Sequence, residues 1–185
     1  MFSTNSTPNE RDTAEVFESV AMVHVNDLFR TALRVTGSRP EADDVVQETY
    51  LQAWKSFHRF QLGTNCRAWL YKILFHVMSH RRRHWLRWNA KFVEDDERGL
   101  EETLVYEAPV PETLRDEDVL AALERLNRQH REVILLVDVE EFSYKETADV
   151  LGVPIGTVMS RLNRARAALR RELADYANSL GIAAT

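Results

Sequence analysis

The residues best suited to chemistry in this chain are basic, and the chemistry they suit is recognition of phosphate and bases. Ser160, Asn163, Arg164, Arg166 and Arg170 fall on one side of a helical stretch with no acid among them until Glu172. A second basic block holds Arg81, Arg82, Arg83, Arg87 and Lys91, with no acid between His76 and Lys91. It lies on a helical stretch that carries Trp69 near its start and follows a loop with two phenylalanines, Phe57 and Phe60. Rings beside arginines suit single-stranded nucleic acid, because bases stack on rings while arginines hold the backbone. Bond-making chemistry has weaker candidates. His76, His80 and His84 are spaced i, i+4, i+8, which could bring imidazoles to a metal. The arginines beside them repel a divalent cation, and no carboxylate lies in the segment. Cys66 has no evident base partner and reads as a small buried hydrophobe. No catalytic residue, metal site or cofactor is expected.

These residues need helices to present them. Ser143 and Glu146 form a capping box that starts a short helix, in which Ala148 and Leu151 can point inward. Gly152 turns the backbone, and Pro154 suits the first turn of a second helix. Val158, Leu162, Ala165 and Leu169 form that helix's apolar stripe. A short helix, a glycine turn and a long basic helix describe a helix-turn-helix DNA reader. Residues 113–138 supply two further helices, with Val119, Leu120, Leu123 and Leu126 as one stripe. Asn127 caps the next helix, whose core is Val133, Ile134, Leu136 and Val137.

The N-terminal half is also helical. Residues 1–12 are polar and read as a disordered tail. Val16, Val20, Val23, Leu28, Leu33 and Val35 then mark two helices or one kinked helix ending at Gly37. Ser38 and Glu41 form another capping box, with Pro40 in the first turn. The helix they start buries Val46, Tyr50, Ala53 and Phe57. On residue types alone, its acids read as a solvated face. A long helix over 67–88 follows, and Trp69, Leu70 and Ile73 read mostly as core, Trp69 above all.

The chain has 185 residues, a net charge of −5 and one cysteine. The length fits one domain or two small ones, and a single cysteine excludes a disulfide framework. Net acidity argues against a free-standing DNA binder, but local fields decide where phosphate goes. The acids gather from Glu94 to Asp118, relieved only by Arg98 and Arg115. Residues 91–112 therefore read as a flexible acidic linker. Some twenty extended residues reach at most ~70 Å, about two turns of duplex at ~34–36 Å each. No signal peptide or membrane span is expected, so the location is expected to be cytoplasmic. The fold class is all-α: two small helical domains, 13–90 and 113–178, a linker over 91–112, a helix-turn-helix in the second domain, and a short tail over 179–185.

Together these segments resemble the extracytoplasmic-function group of the sigma-70 family, promoter-recognition subunits of bacterial RNA polymerase. D-D-V-V-Q-E-T-Y-L-Q-A-W (43–54) is similar to the family's polymerase-binding helix, and C-R-A-W-L-Y-K-I (66–73) to the start of its −10 helix. L-N-R-Q-H-R-E-V-I-L-L (126–136) and Y-K-E-T-A-D-V-L-G-V-P-I-G-T-V-M-S-R-L-N-R-A-R (144–166) are similar to its −35 reader. The resemblance implies that Asp44, Gln47 and Glu48 contact the clamp helices of the polymerase largest subunit, reversing the solvated-face reading for those three. It implies −10 contacts by Phe60, Asn65, Lys72, His76, His80, Arg81 and Arg82, and −35 contacts by Thr157, Met159, Ser160, Arg161, Asn163 and Arg164. Implied partners are the polymerase core (clamp helices and flap), promoter DNA and an anti-sigma protein. The alternative is a stand-alone helix-turn-helix regulator, which would explain residues 113–175 and leave 43–73 without a task.

Overall fold

A computed structural model describes residues 8–88 and 116–179, and it is helical throughout with no strand among them. The expected linker over 91–112 lies outside the described residues, and so does the expected tail over 179–185 except for Ser179, which is instead the last residue of a helix. The chain divides into two units, with the boundary after Ser79.

The first unit holds α1 (Pro8–Ala21), a 3-10 turn (Met22–His24), α2 (Val25–Thr36), α3 (Arg39–Ser56), a 3-10 turn (Phe57–Arg59) and most of α4 (Cys66–Trp88). Helix α1 begins at Pro8, so residues 8–12 are its first turns and not part of a tail. The 3-10 turn breaks the helical phase and leaves Val23 exposed, while within α1 the inward line is Phe17 and Ala21, with Val16 and Val20 half-buried beside it. The Phe17 ring meets Trp54 and Phe57 edge-on, at centroid distances of 5.2 and 5.0 Å. Tyr50 donates its hydroxyl to Ala21 O at 2.9 Å, which fixes the end of α1 against α3. Burial pushes the Tyr50 phenol up to about 12. Gly37, at φ 68°, ends α2 and donates to Leu33 O at 2.8 Å. Only half of the expected capping box forms at α3. Ser38 Oγ accepts from Glu41 N, while the Ser38 N–H donates to Thr36 Oγ1 at 3.3 Å. Ala42, Val45, Val46 and Ala53 of α3 are buried, as are Leu70, Tyr71, Leu74, Phe75, Val77 and Met78 of α4. The Thr31 and Tyr71 hydroxyls, both fully buried, bond at 3.2 Å and satisfy each other.

The second unit contains α5 (Asp116–Arg125), α6 (Arg128–Ile134) running into a π-helical turn (Leu135–Val139), α7 (Tyr144–Leu151) and α8 (Ile155–Ser179). Leu123, Leu126, Val133, Ile134, Ala148, Val158, Leu162, Ala165 and Ala168 form one core. Leu120, expected in the α5 stripe, is exposed; Val119, Ala122, Leu123 and Leu126 follow the helical i, i+3, i+4, i+7 spacing and take the inward face. Asn127 caps α6, its Oδ1 accepting from His130 N at 2.9 Å. Arg131 Nε donates to Leu123 O at 2.9 Å and its Nη2 to Glu124 O and Leu126 O, which satisfies carbonyls at the end of α5. The π-turn ends with Phe142 N donating to Leu136 O at 2.9 Å. Glu141, at φ 56°, then turns the chain towards α7.

Candidate nucleic-acid interface

Local signals position the long helix α8. The capping box at α7 is complete: Ser143 Oγ accepts from Glu146 N at 3.2 Å, and Glu146 Oε2 accepts from Ser143 N at 3.0 Å. Gly152 follows at φ 66°. Pro154 stands one place ahead of α8, where its carbonyl accepts from Thr157 N at 2.9 Å and Val158 N at 3.2 Å. Val158, Leu162 and Ala165 are buried. Met159, Ser160, Asn163 and Arg164 are consequently turned to solvent, while Thr157 and Arg161 are half-buried. Arg164 lies back along the helix, with Nε donating to Ser160 O at 3.3 Å. Arg166, placed with the same basic set by its type, is instead tied to Asp138. Ile155 escaped the sequence reading. It is exposed and sits four residues before Met159, a spacing that could have revealed it.

His130 is buried at the start of α6. Burial holds its imidazole below the ordinary histidine range, and the Arg164 and Arg161 charges lower it further.

In the first unit, Lys72 and His76 are exposed on α4. With Gln52, Trp69 and Ile73 they line an open groove. Trp69, expected in the core, is only half-buried, because Leu70, Tyr71 and Leu74 occupy the inward face. Its ring lies 4.8 Å from Phe60, which in turn stacks on Phe57 at 5.8 Å and 16°. Phe60 therefore belongs to an aromatic row that braces the loop. Asn65 caps α4, its Oδ1 accepting from Ala68 N at 3.0 Å. Residues Gln61–Asn65 are exposed, with Gly63 at φ 86°. Further along α4, past the unit boundary, His80 and Arg82 are exposed and Arg81 is half-buried.

On α3, Asp44 and Gln47 are exposed and Glu48 is half-buried. They share one face by their i, i+3, i+4 spacing. Glu48 Oε1 accepts from Gln52 Nε2 at 2.9 Å, so its carboxylate is oriented before any partner arrives. Leu51 and Trp54, also exposed, give this side of α3 an apolar component.

Among the described residues no group of three or more His, Cys, Asp or Glu is placed to hold a metal. Burial pushes the Cys66 thiol up, which disfavours the thiolate a nucleophile needs. No described helix is long and apolar enough to cross a membrane.

Residues 21–87 match the family model for sigma-70 region 2, and residues 116–169 match that for sigma-70 region 4. The chain is 37% identical over 145 residues to the ECF RNA polymerase sigma factor EcfG of Rhodopseudomonas palustris, covering 78% of each chain. It is 32% identical to the ECF sigma factor SigE of Mycolicibacterium smegmatis, over 88% of this chain and 63% of that one. Among solved structures it is similar to the sigma factor RpoE of Bartonella quintana, crystallised with the anti-sigma factor NepR. The TM-score is 0.65 at 28% identity, over 86% of this chain and 97% of that one.

Proposed function

The chain belongs to the extracytoplasmic-function group of the sigma-70 family, and from that premise we propose how its surfaces divide the work of an alternative sigma factor. The outward face of α3, with Asp44, Gln47 and Glu48, docks on the clamp helices of the polymerase core. Helix α8 then enters the major groove at −35. There Thr157 and Arg161 hold phosphate, and Met159, Ser160, Asn163 and Arg164 face the bases. The loop from Phe60 to Asn65 and the α4 residues Lys72, His76, His80, Arg81 and Arg82 hold the −10 element as a single strand. Opening duplex costs stacking energy, and trapping unstacked bases offsets part of it. The subunit performs no bond chemistry itself. It acts in the cytoplasm, and an anti-sigma protein holds it inactive, as NepR binds the Bartonella quintana relative.

The domain limits follow the same division: 13–90, extended back to Pro8, for polymerase and −10; 113–178 for −35. The observation that carries this reading is the order of the two regions along one chain, each exposing a basic or polar reading face on a helix. Reconstituted transcription with bacterial core polymerase tests it. Addition of the purified chain is expected to start transcription at defined sites that share two upstream elements. Absence of core binding would overturn the reading.

A further inference from the structure

Helix α8 opens with two large apolar side chains in solvent. Ile155 is 50% exposed and Met159 53% exposed. Four residues apart on a helix, they lie one above the other on the same side. Neither is among the side chains of the unit's core, to which Val158, Leu162 and Ala165 contribute from the adjoining side of α8. Between them in sequence stands Gly156. Its φ is not in the left-handed region, and a Cβ added there would meet nothing within 4 Å. The fold therefore does not require glycine at this position, and an alanine would favour the helix. A bare backbone there lets another surface come close. Asn163 continues the same line four residues on, and Ser160 and Arg164 lie further round the exposed surface of α8.

We propose that Ile155 and Met159 form an apolar reading stripe that packs on thymine methyl groups in the major groove of the −35 element, with Gly156 admitting the close approach. The proposal rests on the placement of α8 at −35 given above and adds the chemistry of part of its selectivity. Thymine is the only base that presents a methyl group in the major groove, so an apolar contact there separates T·A from the other pairs. Hydrogen-bonding groups cannot read that methyl; the polar residues beside the stripe read donors and acceptors instead.

The test uses holoenzyme, the full chain bound to core polymerase, and a promoter duplex recovered by promoter mapping. Each thymine of the −35 element is replaced in turn by deoxyuridine, which removes only the methyl. Wild-type holoenzyme is expected to bind about fourfold more weakly at one or two positions, the worth of burying a single carbon group. Ile155→Ala and Met159→Ala are expected to weaken binding to the unmodified duplex and to abolish the penalty at their matched positions. Both side chains are exposed, so melting temperatures should hold. Gly156→Ala should melt no lower than wild type and yet bind the −35 duplex more weakly. A flat deoxyuridine scan in the wild type would overturn the proposal. So would a scan that keeps its penalties in both variants, or variants that lose core or anti-sigma binding with an unchanged scan. Any of these with promoter-directed transcription intact would leave the assignment of α8 to −35 standing. Wild-type holoenzyme with no −35 preference at all would remove that assignment first.

Discussion

Arg166 on α8 and Asp138 in the π-turn, 28 residues apart, form a two-pronged ion pair: Nε donates to Oδ2 at 3.0 Å and Nη2 to Oδ1. The bonds to Asp138 raise the Arg166 pKa further still, with Tyr144 adding to them. Both side chains are partly exposed, so the pair contributes only about 0.5–1 kcal/mol to stability. Its larger effect is on charge available to DNA. Asp138→Ala is expected to release Arg166 for phosphate. The log–log salt dependence of duplex binding should then steepen by about 0.9, one extra neutralised phosphate. An unchanged slope would show that Arg166 reaches no phosphate even when freed.

His130 makes the second unit sensitive to pH. Its backbone N–H donates to Asn127 Oδ1, which fixes the amide so that Nδ2 faces His130 Nδ1 at 3.2 Å. That nitrogen must then accept, so the fold holds the neutral imidazole. Burial first, then Arg164 and Arg161, lower its pKa. The unfolded chain therefore binds a proton that the folded one refuses. Stability is full above the unfolded value near 6.5 and falls as pH drops below it, levelling beneath the folded pKa. His24 in the first unit is shifted the same way, by burial and then Arg67. His130→Gln separates the two. Urea titrations at pH 7.5 and 5.5 should show a smaller pH dependence in the variant; an equal dependence would assign the effect elsewhere.

How much of this was legible in the sequence depended on distance along the chain. The Ser143–Glu146 box, the Asn127 cap and the Gly152 turn are set by residues within a few positions of each other, and each formed as read. Ser38 kept only half of its box because Thr36, two residues back, took its N–H. Phases were harder. The break at Met22–His24 put Val23 outside, Phe17 rather than Val16 or Val20 took the inward line of α1, and Leu120 lost its place to Ala122. Trp69 is ambiguous by type, since a large ring suits a core or a groove wall equally. The Arg166–Asp138 pair, and the Phe60–Trp69 contact that uses a ring expected to be open, depend on tertiary placement. Residue type and local spacing carry no signal for either.

Arg131 should matter more to stability than any exposed arginine. It donates to three carbonyls at the end of α5, Leu123, Glu124 and Leu126, and so joins α5 to α6. Charged hydrogen bonds of this kind are worth ~1.5–3 kcal/mol, and these groups are partly exposed. Arg131→Ala is expected to cost about 2 kcal/mol in urea denaturation. Arg131→Lys should recover only part, because an ammonium lacks the planar fork that spans separate carbonyls. Full recovery by lysine would mean that charge alone, and not the fork, does the work.

The two ends of the chain should fail separately. Arg164 is exposed on α8 and, among the described residues, its side chain bonds to Ser160 of the same helix, so its removal disturbs no described packing. Arg164→Ala is expected to reduce promoter-specific transcription by about tenfold, the scale of one bidentate base contact at ~1–3 kcal/mol. Holoenzyme assembly should be unchanged. Gln47→Ala with Glu48→Ala strips the polar face of α3. Among the described residues Glu48 gives up its bond to Gln52 of the same helix, so the fold should again survive. This double variant should bind core polymerase more weakly at equal protein concentration, and its transcription defect should shrink as the chain is added in excess. The Arg164→Ala defect should not shrink in that way, because saturating the polymerase does not restore a missing base contact. Equal loss of core binding in both would show that one of the two faces has been misplaced.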